Sequence, residues 1–247
     1  DFTEANLTGA IFHGAVLSHT ILDNAILTNA NMTGAIIDTV DFSNVDTEAV
    51  RLPRHIAKLD RELVDILKDH TKWLNTSAKE GVQADLGEVN LAGFDLRDVN
   101  LSAAGFSYAI LKDADLSGGE FLMSDFCFAD MRGVTMRKAD LRGAKLQRCN
   151  LTDADLIGAR FDGVPVGDRG GGSWPANLQF AKLRGAKLNG ANFANANLEG
   201  ADLSGSDLRN ADLRGCILVD VDFTNADLSG AKVKGADLRG VKGLPKI

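Results

Sequence analysis

Tyrosine occurs once in these 247 residues, tryptophan twice, cysteine three times and proline four times. Each scarcity excludes something. Cys127, Cys149 and Cys216 are widely spaced and form no CxxC pair, so neither a disulfide framework nor a zinc ligand set is expected. No apolar run approaches the ~20 residues that span a bilayer. Of the four histidines, His13 and His19 stand isolated at outward positions, and His55 and His70 lie too far apart for one metal-binding turn. No HExxH and no nucleophile elbow occurs. No residue is therefore assigned a catalytic, cofactor-binding or metal-binding role, and no cofactor, small-molecule substrate or enzymatic activity is expected.

What is abundant is alanine, leucine, aspartate, asparagine and glycine, and it is ordered with a period of five. Large apolar residues recur without a break from Phe2 to Phe42, from Leu86 to Phe161 and from Leu178 to Leu238. They number 38, of which 24 are Leu and 9 are Phe. Two positions before each sits a small residue, Ala in 25 of 37 cases. A helix would spread a five-residue period around its circumference. Residues two apart in an extended chain face the same way, so the small and the large residue point inward together. The residue between them, commonly Asp or Asn, points out, and the remaining two turn the chain. Such a chain closes on itself and stacks coil on coil at ~4.8 Å.

The A(D/N)LxG pattern, as in Ala201-Asp202-Leu203 and Ala154-Asp155-Leu156, resembles the pentapeptide-repeat family. The resemblance covers about 190 of the 247 residues. It implies an all-β solenoid, a right-handed quadrilateral β-helix with four repeats per coil. One continuous rod of all the repeats would be ~45 Å long.

The expected organisation is a first repeat block over 1–45, a helical insertion or cap over 46–83, a second block over 84–164, a glycine-rich loop over 165–175 and a third block over 176–247. Within the insertion, Ile56, Leu59, Leu63, Ile66, Leu67, Trp73 and Leu74 have amphipathic helix spacing from Arg54 onward. Pro53 suits its first turn, and Asn75 with Gly81 suits its exit. The helix covers an end or edge of the stack, or presents Trp73 or His70 to a partner or second subunit (a homodimer). The first block either joins the main stack or ends a longer solenoid. The loop PVGDRGGGSWP lacks phosphate-binding spacing; Arg169 and Trp174 at its tip form a candidate interaction element. The chain starts at Asp1 inside a repeat, so an upstream start or export signal would lie outside this sequence; a bacterial, cytoplasmic protein is expected.

Net charge is −7 but unevenly placed. Residues 1–45 hold five acids and no Lys or Arg, whereas residues 166–247 hold nine acids and eleven bases. Some members of the family, similar to quinolone-resistance factors, imitate duplex DNA and bind gyrase. The resemblance therefore offers an acidic DNA mimic directed at a type II topoisomerase as the alternative function. Only small stripes support it, Asp95 beside Asp115, Asp202 beside Asp222 and Asp207 beside Asp227. The last residues, GVKGLPKI, do not read as the pairing helix of those relatives. A basic-aromatic groove for direct nucleic-acid binding is absent. One non-periodic feature remains: Tyr108, Phe128 and Arg148 stack on one column above Glu88. They are hot-spot residue types in one place. Either they strengthen adjacent coils or they recognise another protein. The leading expectation is a non-enzymatic protein-interaction or scaffold module.

Overall fold

A carboxylate or carboxamide at the outward position has a local task that explains its frequency. In the computed structural model, which describes residues 1–37, 39–47, 49–52, 62–165, 172–244 and the backbone of 54–55, that side chain accepts the backbone N–H two residues on. Asn90 takes the Ala92 N–H at 3.0 Å, Asp202 that of Ser204 at 2.9 Å and Asp222 that of Thr224 at 2.8 Å. This Asx turn bends the chain. The next corner residue adopts a left-handed φ, which is why Gly, Asn and Asp are common there.

Each outward residue then pairs in parallel with the one twenty positions later, so four five-residue steps make one coil. One face of the longer stack runs Asp85, Gly105, Asp125, Lys145, Asn177, Asn197, Ile217 and Asp237. Between coils the Leu86 N–H donates to the Gly105 carbonyl at 2.7 Å, and the Gly105 N–H to that of Ala84 at 3.0 Å. The step from Lys145 to Asn177 spans thirty-two positions. Twelve residues are thus looped out without breaking the ladder. Within that excursion β3 (Val164–Pro165) pairs antiparallel with β4 (Ser173–Trp174).

The interior is narrow and mostly apolar. Leu, Phe and Ala from 84 to 223 are almost all fully buried in one continuous core. Large residues of one face stack from coil to coil: Phe106 on Phe126 at 4.6 Å and Phe161 on Phe193 at 4.5 Å between ring centroids. The alanines opposite leave room for them at interior packing density.

The first block does not lengthen this rod. It forms a short stack of its own, with faces Asn6–Ile26–Asp46 and Ile11–Asn31–Arg51 and a separate core around Leu17, Leu22, Leu27 and Met32. The chain leaves it at Arg51, and β1 (Arg54–His55) pairs in parallel with β2 (Val89–Asn90) on the first coil of the long stack. The helix expected from Arg54 therefore begins later: α1 spans Leu63–Asn75, with Glu62 at its N-cap and Thr76 at its C-cap. Arg54 and His55 are held as strand because the uncovered edge of that first coil offers them ladder partners. Pro53, Ile56 and Leu59 lie outside the described residues. Leu63, Ile66 and Leu67 of α1 pack against the long core. No helix among the described residues is long and apolar enough to cross a membrane.

Candidate protein-binding surface

The Tyr108 column exists, and it is longer than the sequence count suggests. Tyr108 and Phe128 stack with centroids 4.9 Å apart and planes 8° from parallel. The Arg148 guanidinium carbon lies 4.9 Å from the centroid of the Phe180 ring, a cation–π contact. Phe180 escaped the sequence reading because the twelve looped-out residues shift the numbering. Counting repeats instead of residues would have placed it. All four residues sit at corners with φ between 56° and 61°. That region costs a bulky residue roughly 1–2 kcal/mol, so turn geometry alone does not favour these side chains.

Part of this column is occupied by the chain itself. The His13 ring lies 4.5 Å from that of Tyr108, tilted by 49°. The isolation expected of His13 from its place in the repeat is thus lost in the fold. Thr33 Oγ1 donates to Asn31 Oδ1 at 2.8 Å, which leaves it to accept from His13 Nε2 at 2.9 Å. Gly34 permits the approach: a Cβ there would stand 3.0 Å from Tyr108 Cδ1. Arg51 grips Glu88 through 2.9 and 3.1 Å hydrogen bonds at the foot of the column. Beyond these, Gly14, Gly34 and Ile36 meet Phe128 and Arg148 around a cavity of about 30 Å³, room for little more than one water. Beside the Arg51–Glu88 pair an open cleft of about 530 Å³ reaches Asp85 and Tyr108.

The short stack therefore lies alongside the long one and runs the opposite way. Arg51 of its last coil meets Glu88 of the long stack's first coil, and Gly14 of its first coil lies near Arg148 further up. Ile36 is buried in this junction at 4% exposure.

The other candidates are placed differently. Trp73 is half-buried and stacks on His70 at 5.6 Å. His70, one of the two side chains the sequence offers on α1 for a partner, is fully buried and so is not presented at all. Its Nδ1 accepts the Ala84 N–H at 3.0 Å, tying α1 to the first inward residue of the long stack. Nε2 has no hydrogen-bond partner among the described residues. Burial lowers the His70 pKa, opposed by the Ser102 backbone. Trp174 on β4 is 54% exposed, and Met123 beside the same Gly143 corner is 46% exposed. Arg169 lies outside the described residues.

Many carboxylates of the long stack are engaged by arginine. Asp95, Asp140, Asp207 and Asp212 each receive a two-nitrogen fork from the arginine two residues on. Those hydrogen bonds hold the Asp95 and Asp207 carboxyls down at about 2. Arg97 also lies 3.8 Å from Asp115, and Arg209 3.8 Å from Asp227. Two of the three paired-acid stripes thus carry a cation between their acids. Among the described residues no group of three or more His, Cys, Asp or Glu is placed to hold a metal ion.

The feature that sequence reading missed is on the short stack. Its outward positions hold Ile11, Val16, Ile21 and Ile26, exposed by 73, 59, 50 and 46%. Each gives up the Asx turn that Asp or Asn makes elsewhere, a hydrogen bond worth about 1 kcal/mol. The signal lay in the outward residue of each repeat, which the inward ladder overshadowed.

A family model described as pentapeptide repeats matches residues 1–37, 10–46, 82–118, 109–148, 136–164, 176–215 and 206–242. No curated protein matches the chain. Among solved structures, HetL of the cyanobacterium Nostoc sp. strain PCC 7120, a pentapeptide repeat protein involved in heterocyst differentiation regulation, is 25% identical. The match covers 98% of this chain and 90% of HetL, with a TM-score of 0.28. QnrB1, a plasmid-mediated fluoroquinolone resistance protein, is 21% identical over 62% of this chain and 81% of its own, with a TM-score of 0.33. A pentapeptide repeat protein of the Arabidopsis thaliana thylakoid lumen is 26% identical over 56% of this chain and 68% of its own, with a TM-score of 0.21. With the repeat model spanning both stacks and the coil geometry following from it, the chain belongs to the pentapeptide-repeat family.

Proposed function

We propose that this chain is a right-handed, four-sided repeat rod that works as a non-enzymatic protein-binding module. The observation that carries the reading is the set of exposed Ile and Val side chains at the outward positions of the short stack. Nothing in coil geometry asks for them; they stand one to a face around the coil, and Ile21 and Ile26 share the side turned away from the long stack, where neighbouring exposed apolar groups mark an interaction surface. The long stack supports the reading from the other side. Carboxylates such as Asp95 and Asp207 cap turns and bind arginines, a structural task that explains their presence without acid–base chemistry.

The DNA-mimic alternative needs an ordered array of carboxylates unopposed by cations. Arg97 between Asp95 and Asp115, and Arg209 between Asp207 and Asp227, disfavour it. Immobilised full-length protein, challenged with extract of its native organism, should retain a defined protein that excess soluble chain displaces. Failure to retain any displaceable protein would refute the module reading. A supercoiling assay with DNA gyrase separates the alternative: no inhibition and no drug protection at micromolar chain is the expected result.

A further inference from the structure

The short stack has four faces, and their uses divide sharply. Contacts with the long stack come from Arg51, from the corner at His13, Gly14 and Gly34, and from Ile36. These belong to two adjacent faces and the corner between them. The two remaining faces point away from the long stack. One presents Ile21 at the level between Asp1 and Asp41. The other presents Ile26, bridged to Asn6 on one side and Asp46 on the other. They meet at the corner of Asp23 and Asn24, above which stands Glu4. Asp1, Glu4, Asp23 and Asp41 are all exposed. At ~4.8 Å per coil the two acids flanking Ile21, Asp1 and Asp41, lie about 10 Å apart.

The charge around them is one-sided. Residues 1–50 hold seven acids and not one Lys or Arg, whereas the long stack sets an arginine beside many of its aspartates. A convex surface with a β-branched apolar centre and an acidic surround attracts cations and offers them aliphatic contact. It repels nucleic acid and anionic lipid. It also repels its own copy, since two such faces bring acid against acid. We infer that the Ile21–Ile26 side of the short stack docks a basic amphipathic segment of a partner protein, aliphatic side chains on the isoleucines and Lys or Arg among the acids. This rests on the protein-binding reading above and supplies the chemistry of the partner.

The test uses the full chain and a labelled synthetic peptide helix with one leucine face and one lysine face. Fluorescence anisotropy should show saturable binding that weakens at least about tenfold between low and moderate salt. Ile21→Ser with Ile26→Ser, and separately Asp23→Asn with Asp41→Asn, should each weaken it by about tenfold or more. Ile11→Ser, exposed on the face that carries Arg51 and away from the Ile21–Ile26 side, should leave it unchanged. Outward Ser and turn-capping Asn suit the coil, so unchanged circular dichroism and melting should accompany each variant. The inference is overturned if both double variants bind as the parent does, or if a glutamate version of the peptide binds equally well. It also falls if the isoleucine variant instead abolishes a concentration-dependent dimer, which would give the face to a second copy. Should native extract still yield a displaceable partner in any of these cases, the module reading survives alone. Should it yield none, both fail.

Discussion

His13 and Tyr108 stand with ring centroids 4.5 Å apart, and around that contact a short coil stack is held against the flank of a long one. Tyr108 is backed on its other side by Phe128, so the long stack offers a stiff aromatic step. The short stack meets it with a histidine oriented by Thr33 and with the bare backbone of Gly34. The column thus holds the molecule's two parts together along its lower rungs. Arg148 and Phe180 extend it, both exposed.

Undocking is the first prediction. Gly34→Val would place a branched side chain where Tyr108 Cδ1 stands 3.0 Å from a Cβ, and Tyr108→Ser would remove the step. Small-angle scattering should report a larger radius of gyration for each variant, and amide exchange at Ile36 should speed up. The long stack's exchange pattern should stay as it was. An unchanged radius in both variants would show that the junction does not depend on this contact.

A second prediction concerns acid. His70 is buried, and burial lowers its pKa from the ordinary value near 6.5. The neutral ring is the form that fits, because Nδ1 must accept from the Ala84 N–H. Its contribution is full above pH ~6.5 and is lost as pH falls below that value, where the unfolded chain takes up a proton that the folded chain refuses. The slope cannot exceed about 1.4 kcal/mol per pH unit for one proton. The groups in contact are the Trp73 ring and the backbones of Ala84 and Ser102; Asp69, Lys68 and Lys72 on α1 are the nearest charges in sequence, Lys68 paired with Asp65 and Lys72 with Glu80. Denaturant melts between pH 7.5 and 5 should show the loss, and His70→Asn, which keeps an acceptor, should flatten it.

Thiol chemistry gives a third. Burial and the neighbouring Asp125 push the Cys127 thiol up to about 12; burial, with Cys127 beside it, raises Cys149, and burial, with Asp212 nearby, drives Cys216 to about 12. The thiolate is the reactive form. A chromogenic disulfide reagent at pH 8 should therefore react slowly with native protein and promptly with all three cysteines after denaturation. Rapid native labelling of Cys149 would contradict its burial.

The last prediction ranks two kinds of residue. Phe126 is fully buried between Phe106 and Phe121, and Phe126→Ala should cost about 3–5 kcal/mol. Asp130 is only 3% exposed and anchors both the Arg132 fork and the Arg132 N–H. Its replacement by Ala should cost about 1–3 kcal/mol. Replacing the far more exposed Asp237 should cost less, because water substitutes for its Arg239 partner. Chemical denaturation of the three variants would test the order.

Much of this molecule is readable as a string. The coil, its twenty-residue stacking, the inward residues and the family follow from a five-residue period that only one backbone path satisfies. The α1 helix was legible in part, but not its start, because ladder pairing of Arg54–His55 with Val89–Asn90 outweighs local helix spacing. The outward residues were legible as identities and not as uses. Asp202 is known to be an aspartate from the string, and known to be a turn cap only once the Ser204 N–H is seen beside it.

The sequence by itself determined the interior, because each small or large side chain there answers to neighbours five and twenty positions away at a repeating distance. Only the tertiary structure decided that residues 1–51 lie beside the long stack instead of above it. That choice rests on a few contacts between residues far apart in the chain, His13 with Tyr108 and Arg51 with Glu88, which no period records. It also decided which faces of the short stack remain open. The isoleucines at 21 and 26 are surface features because Ile36, from the same kind of position, happens to be the one that the long stack covers.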